Sequence, residues 1–253
     1  MTKGLDLFRD AFAQYTDCFV VIGGTACDLL FTEVGLSFRA TKDIDIVLCV
    51  EAVQDDFART FWDFIKAGEY ARREGAAEHL RYYRFSHPAN EGYPVMLELF
   101  SRSDGMLSGA DSAPVRRISL SGDVSSLSAI VLNTEYYEFL KTGVRIIEGI
   151  PVVDALHLIP LKARAWYDLH EKHNAGEAVD AHDVKKHRND IVRLLQLLPN
   201  EFQIQLPETV EQDIVRCCAL LPDWHDYNNR QFGVAVSLEQ IIAQIKTLYG
   251  LGR

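Results

Sequence analysis

Residues 18–25 read Cys18-Phe19-Val20-Val21-Ile22-Gly23-Gly24-Thr25, and residues 43–47 read Asp43-Ile44-Asp45-Ile46-Val47. The apolar run ending in two glycines predicts a strand that enters a tight turn. The alternation of acid and isoleucine predicts a second strand, with Asp43 and Asp45 on one face and Ile44 and Ile46 on the other. Two carboxylates on one strand face can grip Mg²⁺, a cation that takes oxygen ligands. Glycines let backbone amides approach a polyphosphate, and the Thr25 hydroxyl adds a donor for a phosphate oxygen. A glycine pair alone is an ordinary turn, and alternating acids alone are the solvated face of a strand. Their succession within one short stretch reads as a metal-dependent nucleotide site.

A third acid extends the pattern. Glu98 stands in Val95-Met96-Leu97-Glu98-Leu99-Phe100, among apolar neighbours where an uncompensated carboxylate is costly. Residues 80–86 and 95–100 are strand-like and flank a Gly/Pro-containing turn, so they form a predicted hairpin. Two compensations are open to Glu98. It completes the metal site with Asp43 and Asp45, the expectation carried forward, or it pairs across the hairpin with Arg81 or Arg84.

Outward from these strands, Leu5, Phe8, Phe12 and Tyr15 recur at helical spacing, as do Phe57, Phe61, Phe64 and Ile65 within residues 55–67. A short helix over residues 25–31 would aim its N-terminal amides at the glycine turn, a favourable place for an anion. The second strand extends over residues 43–50. Residues 101–113 read as a polar loop, and residues 130–132 and 144–147 as further short strands. After residue 150 the periodicity turns helical. Asp154 caps a turn, Pro160 opens a helix through residue 170, and residues 171–180 form a polar linker. Val184, Ile191, Leu194, Leu195 and Leu198 line the next helix, with Lys186, Asp190 and Arg193 on an adjacent face. There Lys186 and Asp190 also fit a surface ion pair. Two more helices follow Pro207 and Ser237, the latter with capping-box spacing to Gln240. The fold class is α+β: a mixed β-sheet with flanking helices over residues 1–150, then a helical C-terminal domain over residues 151–253.

Composition narrows the function classes. The chain has 253 residues, 48% hydrophobic and 25% charged, with a formal net charge of −10. That balance suits a folded globular protein and argues against indiscriminate nucleic-acid binding, which draws on many Lys and Arg contacts. Of the 36 acidic side chains, 22 fall within residues 1–150, the part holding the expected metal site. No apolar run approaches the ~20 residues that span a bilayer, and the acid-bearing start Met-Thr-Lys-Gly-Leu-Asp does not read as a signal peptide. A cytoplasmic protein without a membrane partner is expected. The five cysteines show no C-x-x-C spacing and read as reduced core thiols. His182-Asp183 lacks the companion ligands of a metal phosphohydrolase, and Trp62, Trp166 and Trp224 read as core residues.

The succession Ile22-Gly-Gly-Thr25, Arg39-x-Thr41-x-Asp43-x-Asp45 and strand-borne Glu98 resembles the nucleotidyltransferase superfamily, the DNA polymerase beta-like fold. With Leu158-Ile159-Pro160-Leu161-Lys162 and the later Lys186-His-Arg-Asn-Asp190 it is similar to the AbiEii-type nucleotidyltransferase toxins. Asn189 departs from that pattern, which has Arg or Lys immediately before the acid. The resemblance implies transfer of a nucleoside monophosphate from an NTP co-substrate, with one or two Mg²⁺ on Asp43, Asp45 and Glu98. It also implies nucleotide contacts from Gly23, Gly24, Thr25 and Lys162, and catalytic roles for Lys162 and Asp190. The acceptor stays open among RNA, a protein and a small molecule such as an aminoglycoside. An antitoxin partner accompanies the toxin reading, and a catalytically silent binding module on the same fold is a third class.

Overall fold

The computed structural model describes residues 2–49, 51–53, 55–75, 82–102, 116–117, 130–131, 133–233 and 236–252. Two compact units divide the chain: Met1–Leu120 with Gly143–Asp154, and Ser121–Thr142 with Ala155–Arg253.

Among the described residues the first unit holds a mixed sheet of eight strands: β1 (Phe19–Ile22), β2 (Asp43–Leu48), β3 (Tyr70–Gly75), β4 (Tyr82–Pro88), β5 (Met96–Phe100), β6 (Arg116–Arg117), β7 (Val144–Ile147) and β8 (Ile150–Val153). Their order is β6-β3-β4-β5-β2-β1-β8-β7. β2 runs antiparallel to β1 and parallel to β5, β4 antiparallel to β5, and β8 parallel to β1. Helices α1 (Leu5–Phe12), α2 (Gly23–Glu33) and α3 (Asp55–Ala67) flank it. The core is aromatic. Phe8 and Phe12 of α1 and Phe57, Phe61 and Phe64 of α3 meet one another and Phe19 of β1, and Phe61 meets Phe85 of β4 at 5.5 Å. Edge-to-face contacts of this kind add to the burial of large apolar surface. Strand periodicity therefore puts Phe19 and Phe85 on the face covered by α1 and α3, and Asp45, Glu98 and Arg84 on the opposite face.

The second unit contains α4 (Thr134–Thr142), α5 (Ala155–Asn174), α6 (Ala181–Leu195), α7 (Glu208–Leu220) and α8 (Leu238–Leu248), with short 3₁₀ turns at Leu221–Asp223 and Asn229–Phe232. Buried Leu158, Leu161, Trp166 and Leu169 on α5 and Ile191, Leu194 and Leu195 on α6 fill its core. Ser237 and Gln240 close the expected capping box on α8.

Several expectations meet their residues and several are corrected. The helices at 5–12 and 55–67, the 82–100 hairpin and the strand at 144–147 are present. Residues 150–153 form a strand beside β1 rather than the start of helical chain, because Ile150-Pro-Val-Val153 is an apolar run short enough to be buried in a sheet. Ile130 and Val131 are helical, not extended, and residue 132 lies outside the described residues. The 101–113 loop, from residue 103, also lies outside them, as do residues 50, 80 and 81. Glycines 23 and 24 do not precede the helix; α2 starts at Gly23 itself. Asp180 caps α6, accepting a 2.8 Å hydrogen bond from the His182 amide.

Pro160 sits inside α5 instead of opening a helix. A helix-interior proline has no N–H for the carbonyl four residues back, here Leu156. The Tyr249 hydroxyl donates to that carbonyl at 2.7 Å, so a side chain from the far end of the unit replaces the missing donor.

Candidate active site

The sheet of the first unit collects the acids by register alone. Asp45 on β2 is the register partner of Glu98 on the parallel strand β5 and of Ile22 on β1, and Glu98 is the partner of Arg84 on β4. A row Arg84, Glu98, Asp45, Ile22 therefore crosses four strands on one face. Two positions along β2, Asp43 shares that face. Asp45 and Glu98 are buried, at 9% and 5% exposure, although like charges side by side on neighbouring strands are unfavourable.

Gly23 follows Ile22 and has φ +68°, in the left-handed region that favours glycine. A Cβ on Gly23 would stand 1.8 Å from Asp45 Oδ2, so the first glycine is the space into which the Asp45 carboxylate fits. A Cβ on Gly24 would stand 2.6 Å from Thr41 Oγ1 and 3.7 Å from Arg39 Nη2. Arg39 and Thr41 of the sequence pattern thus pack on the same turn as the glycines. The first turn of α2 has no side-chain cap and no acid, which leaves its amides facing this end of the sheet as a place for an anion.

Thr25 is corrected. Its hydroxyl is fully buried and donates to the Asp43 carbonyl at 2.6 Å, with the Thr2 hydroxyl 3.0 Å away. The proton expected for a phosphate oxygen instead ties α2 to β2 and so fixes the glycine turn against the acid strand. Glu98 meets Arg84. Arg84 meets its Oε1 with Nε at 2.6 Å and Nη2 at 2.5 Å, the hairpin ion pair weighed against the metal site. Arg81 lies outside the described residues.

The donor set Asp43, Asp45 and Glu98 is entirely hard oxygen and suits Mg²⁺ rather than a thiolate- or imidazole-seeking metal. Among the described residues, however, no three His, Cys, Asp or Glu side chains are gathered as a metal-holding group. The fit is that of two carboxylates on one strand, with a third beside them turned to Arg84.

Lys162 and Asp190 belong to the second unit. Lys162, expected as an exposed phosphate-binding lysine, is buried, and its Nζ donates to Asp190 Oδ2 at 3.2 Å. Asp190 is fully buried and also meets Arg193 at 3.4 Å, while Lys186 pairs with Asp183 at 3.3 Å. The surface pair Lys186–Asp190 is thereby replaced by an internal one. Helix phase gives the reason: Asp190 falls next to Ile191 on the buried stripe of α6. Elsewhere in this unit, buried Asp213 accepts from the Tyr136 hydroxyl at 2.8 Å, the Tyr167 hydroxyl at 2.5 Å and Arg164 Nη1 at 3.1 Å. Burial and this carboxylate raise both phenol pKa values far above the ordinary tyrosine range.

Sequence reading missed the Asp213 cluster and the steric role of Thr41. The first had a weak signal, an acid at a helix position between Val210 and Ile214. The second had one only in the resemblance.

No family model matches the chain. No curated protein matches it either. Among solved structures the chain is similar to an antigenic nucleotidyltransferase-like protein from Paracoccidioides brasiliensis, with 14% identity over 98% of this chain and 95% of that one, at a TM-score of 0.45. It is also similar to the polyadenylate synthase of Megavirus, with 12% identity over 87% of this chain and 36% of that one, at a TM-score of 0.43. Both likenesses are distant and carry no functional weight by themselves. Among the described residues no helix is long and apolar enough to cross a membrane.

Proposed function

We propose that the chain is a metal-dependent nucleotidyltransferase that moves a nucleoside monophosphate from an NTP to an acceptor. The support is chiefly one arrangement: a buried Asp45 carboxylate seated in the space of Gly23, in register beside a second buried acid, at the uncapped start of α2. Arg84 already meets Glu98 in this row, and the hard carboxylate oxygens of Asp43 and Asp45 beside the glycine turn suit a divalent cation that carries a polyphosphate.

In this reading Asp43 and Asp45 hold Mg²⁺, with Glu98 as the third carboxylate. The bound cation would neutralise the triphosphate and, if a second is present, lower the pKa of the acceptor hydroxyl. The amides at Gly23 and Gly24 bind phosphate oxygens, and Arg39 beside Gly24 orients the same group through its planar guanidinium. Thr25 acts indirectly, by holding α2 to the Asp43 backbone. Lys162 and Asp190 enter as one charged pair, not as separate ligands. A catalytic part over residues 1–150 and a helical part over residues 151–253 belong to the same proposal.

The acceptor is RNA or a protein in the leading form, which includes a toxin paired with an antitoxin. A small cationic acceptor is the second form, favoured by the net charge of −10. The test is incubation of the full chain with each labelled NTP and Mg²⁺ against total RNA, protein extract and aminoglycosides. Label should pass to one acceptor class, only with Mg²⁺, and not with the Asp43→Asn variant. Transfer by Asp43→Asn at the wild-type rate, or no transfer in any mixture, would overturn the reading.

A further inference from the structure

We propose that Arg84 is the built-in counter-ion of the acid row and that a divalent cation must compete with it for Glu98. The proposal rests on the metal-site reading of Asp43 and Asp45 and adds a residue that none of the sequence motifs contains.

The register row sets the order: guanidinium, carboxylate, carboxylate, from β4 across β5 to β2. Arg84 Nε and Nη2 meet Oε1 of Glu98 at 2.6 and 2.5 Å, and the Glu98 side chain is only 7% exposed. A carboxylate so deeply buried needs a positive partner, and breaking the pair without a replacement is strongly unfavourable. Arginine keeps its charge at every ordinary pH, so it leaves Glu98 only when another cation arrives. A divalent cation drawn to Glu98 comes up against the positive charge of this guanidinium at close range, whichever carboxylate oxygen it takes. Cation binding to Glu98 and the Arg84 contact therefore oppose each other, and by linkage each weakens the other equally. The Arg84 side chain is 21% exposed, enough for its guanidinium, once displaced, to turn to a phosphate oxygen. The site would then hold the third carboxylate in reserve until cation and nucleotide arrive together.

The experiment is titration of the full chain with Mn²⁺ alone, without nucleotide or acceptor, read by electron paramagnetic resonance and by the metal-dependent rise in Tm. Arg84→Gln should bind Mn²⁺ about tenfold more tightly than wild type, within the usual span of coupling between two sites. Its Tm should also rise more on Mn²⁺ addition. Arg84→Lys, with a single-point charge, should lie between the two and serves in place of Arg84→Gln if that variant does not fold. Adding Glu98→Gln to Arg84→Gln should cancel the gain. Equal Mn²⁺ affinity in wild type and both Arg84 variants overturns the proposal. If that affinity is also lost in Asp45→Asn, the metal site stands without Arg84. If no variant binds Mn²⁺, both the metal site and the proposal fall.

Discussion

The two units place their buried acids differently. In the helical unit each buried carboxylate is met by cations or phenols: Asp213 by Arg164, Tyr136 and Tyr167, and Asp190 by Lys162 and Arg193. In the sheet unit Glu98 is met by Arg84, but its register neighbour is a second buried acid, Asp45, and a glycine gives up its Cβ so that the Asp45 carboxylate fits. The helical acids are arranged as a fold would arrange them to offset desolvation. The sheet acids stand side by side on adjacent strands at a helix start, with Arg84 on Glu98, a placement that suits a ligand site.

Asp213→Ala breaks the comparison most severely if it is wrong. Removing the acid leaves two phenols and the Nη1 of Arg164 without their acceptor, although Arg164 keeps Asp168, and urea denaturation should show a loss of about 3–5 kcal/mol. Asp45→Asn should do the reverse. It relieves the repulsion with Glu98, so stability should stay within about 0.5 kcal/mol of wild type or rise, while Mg²⁺-dependent transfer falls at least about 100-fold. A large loss of stability in Asp45→Asn would put the sheet acids in the structural class with Asp213.

Lys162 sharpens the comparison within the helical unit. Because the lysine is buried against fully buried Asp190, Lys162→Ala should destabilise by about 3 kcal/mol, and any loss of nucleotide binding should track unfolding. Full stability with lost NTP affinity, measured by calorimetry, would make Lys162 a ligand instead. Tyr249→Phe removes the donor to the Leu156 carbonyl beneath Pro160 and should cost about 1–2 kcal/mol, with no effect on transfer.

The smallest effect concerns the thiols. Burial pushes Cys218 up to about 11, with Lys246 working weakly against it, and Cys18 up to about 12. A raised thiol pKa favours the neutral folded form. Its contribution to stability is therefore complete below the unfolded value of 9.0 and is lost as pH rises from there toward about 11. Native protein at pH 8 should react with iodoacetamide at Cys49, which is partly exposed, far faster than at Cys217 or Cys218.

Periodicity was enough to read α1, α3, the β4–β5 hairpin and the shared face of Asp43 and Asp45, because each is a local pattern of apolar and polar positions along one element. Proximity of Gly23-Gly24 to Asp45 was also legible, since a strand ending in glycines and an acid-bearing strand are adjacent in sequence. Which oxygen or nitrogen each polar group meets was not. Thr25 reads as a phosphate donor, and Glu98 as a metal ligand or as the partner of Arg84, until strand order and register are known. Pro160 reads as a helix start because sequence cannot show that Tyr249, 89 positions later, supplies the missing hydrogen bond. Lys162 and Asp190 read as surface charges because their burial depends on how α5 packs against α6. Local sequence sets the propensities and faces of elements through steric and hydrophobic periodicity. The pairing of charges and the completion of hydrogen bonds depend on distances between elements, and only the tertiary structure decides those.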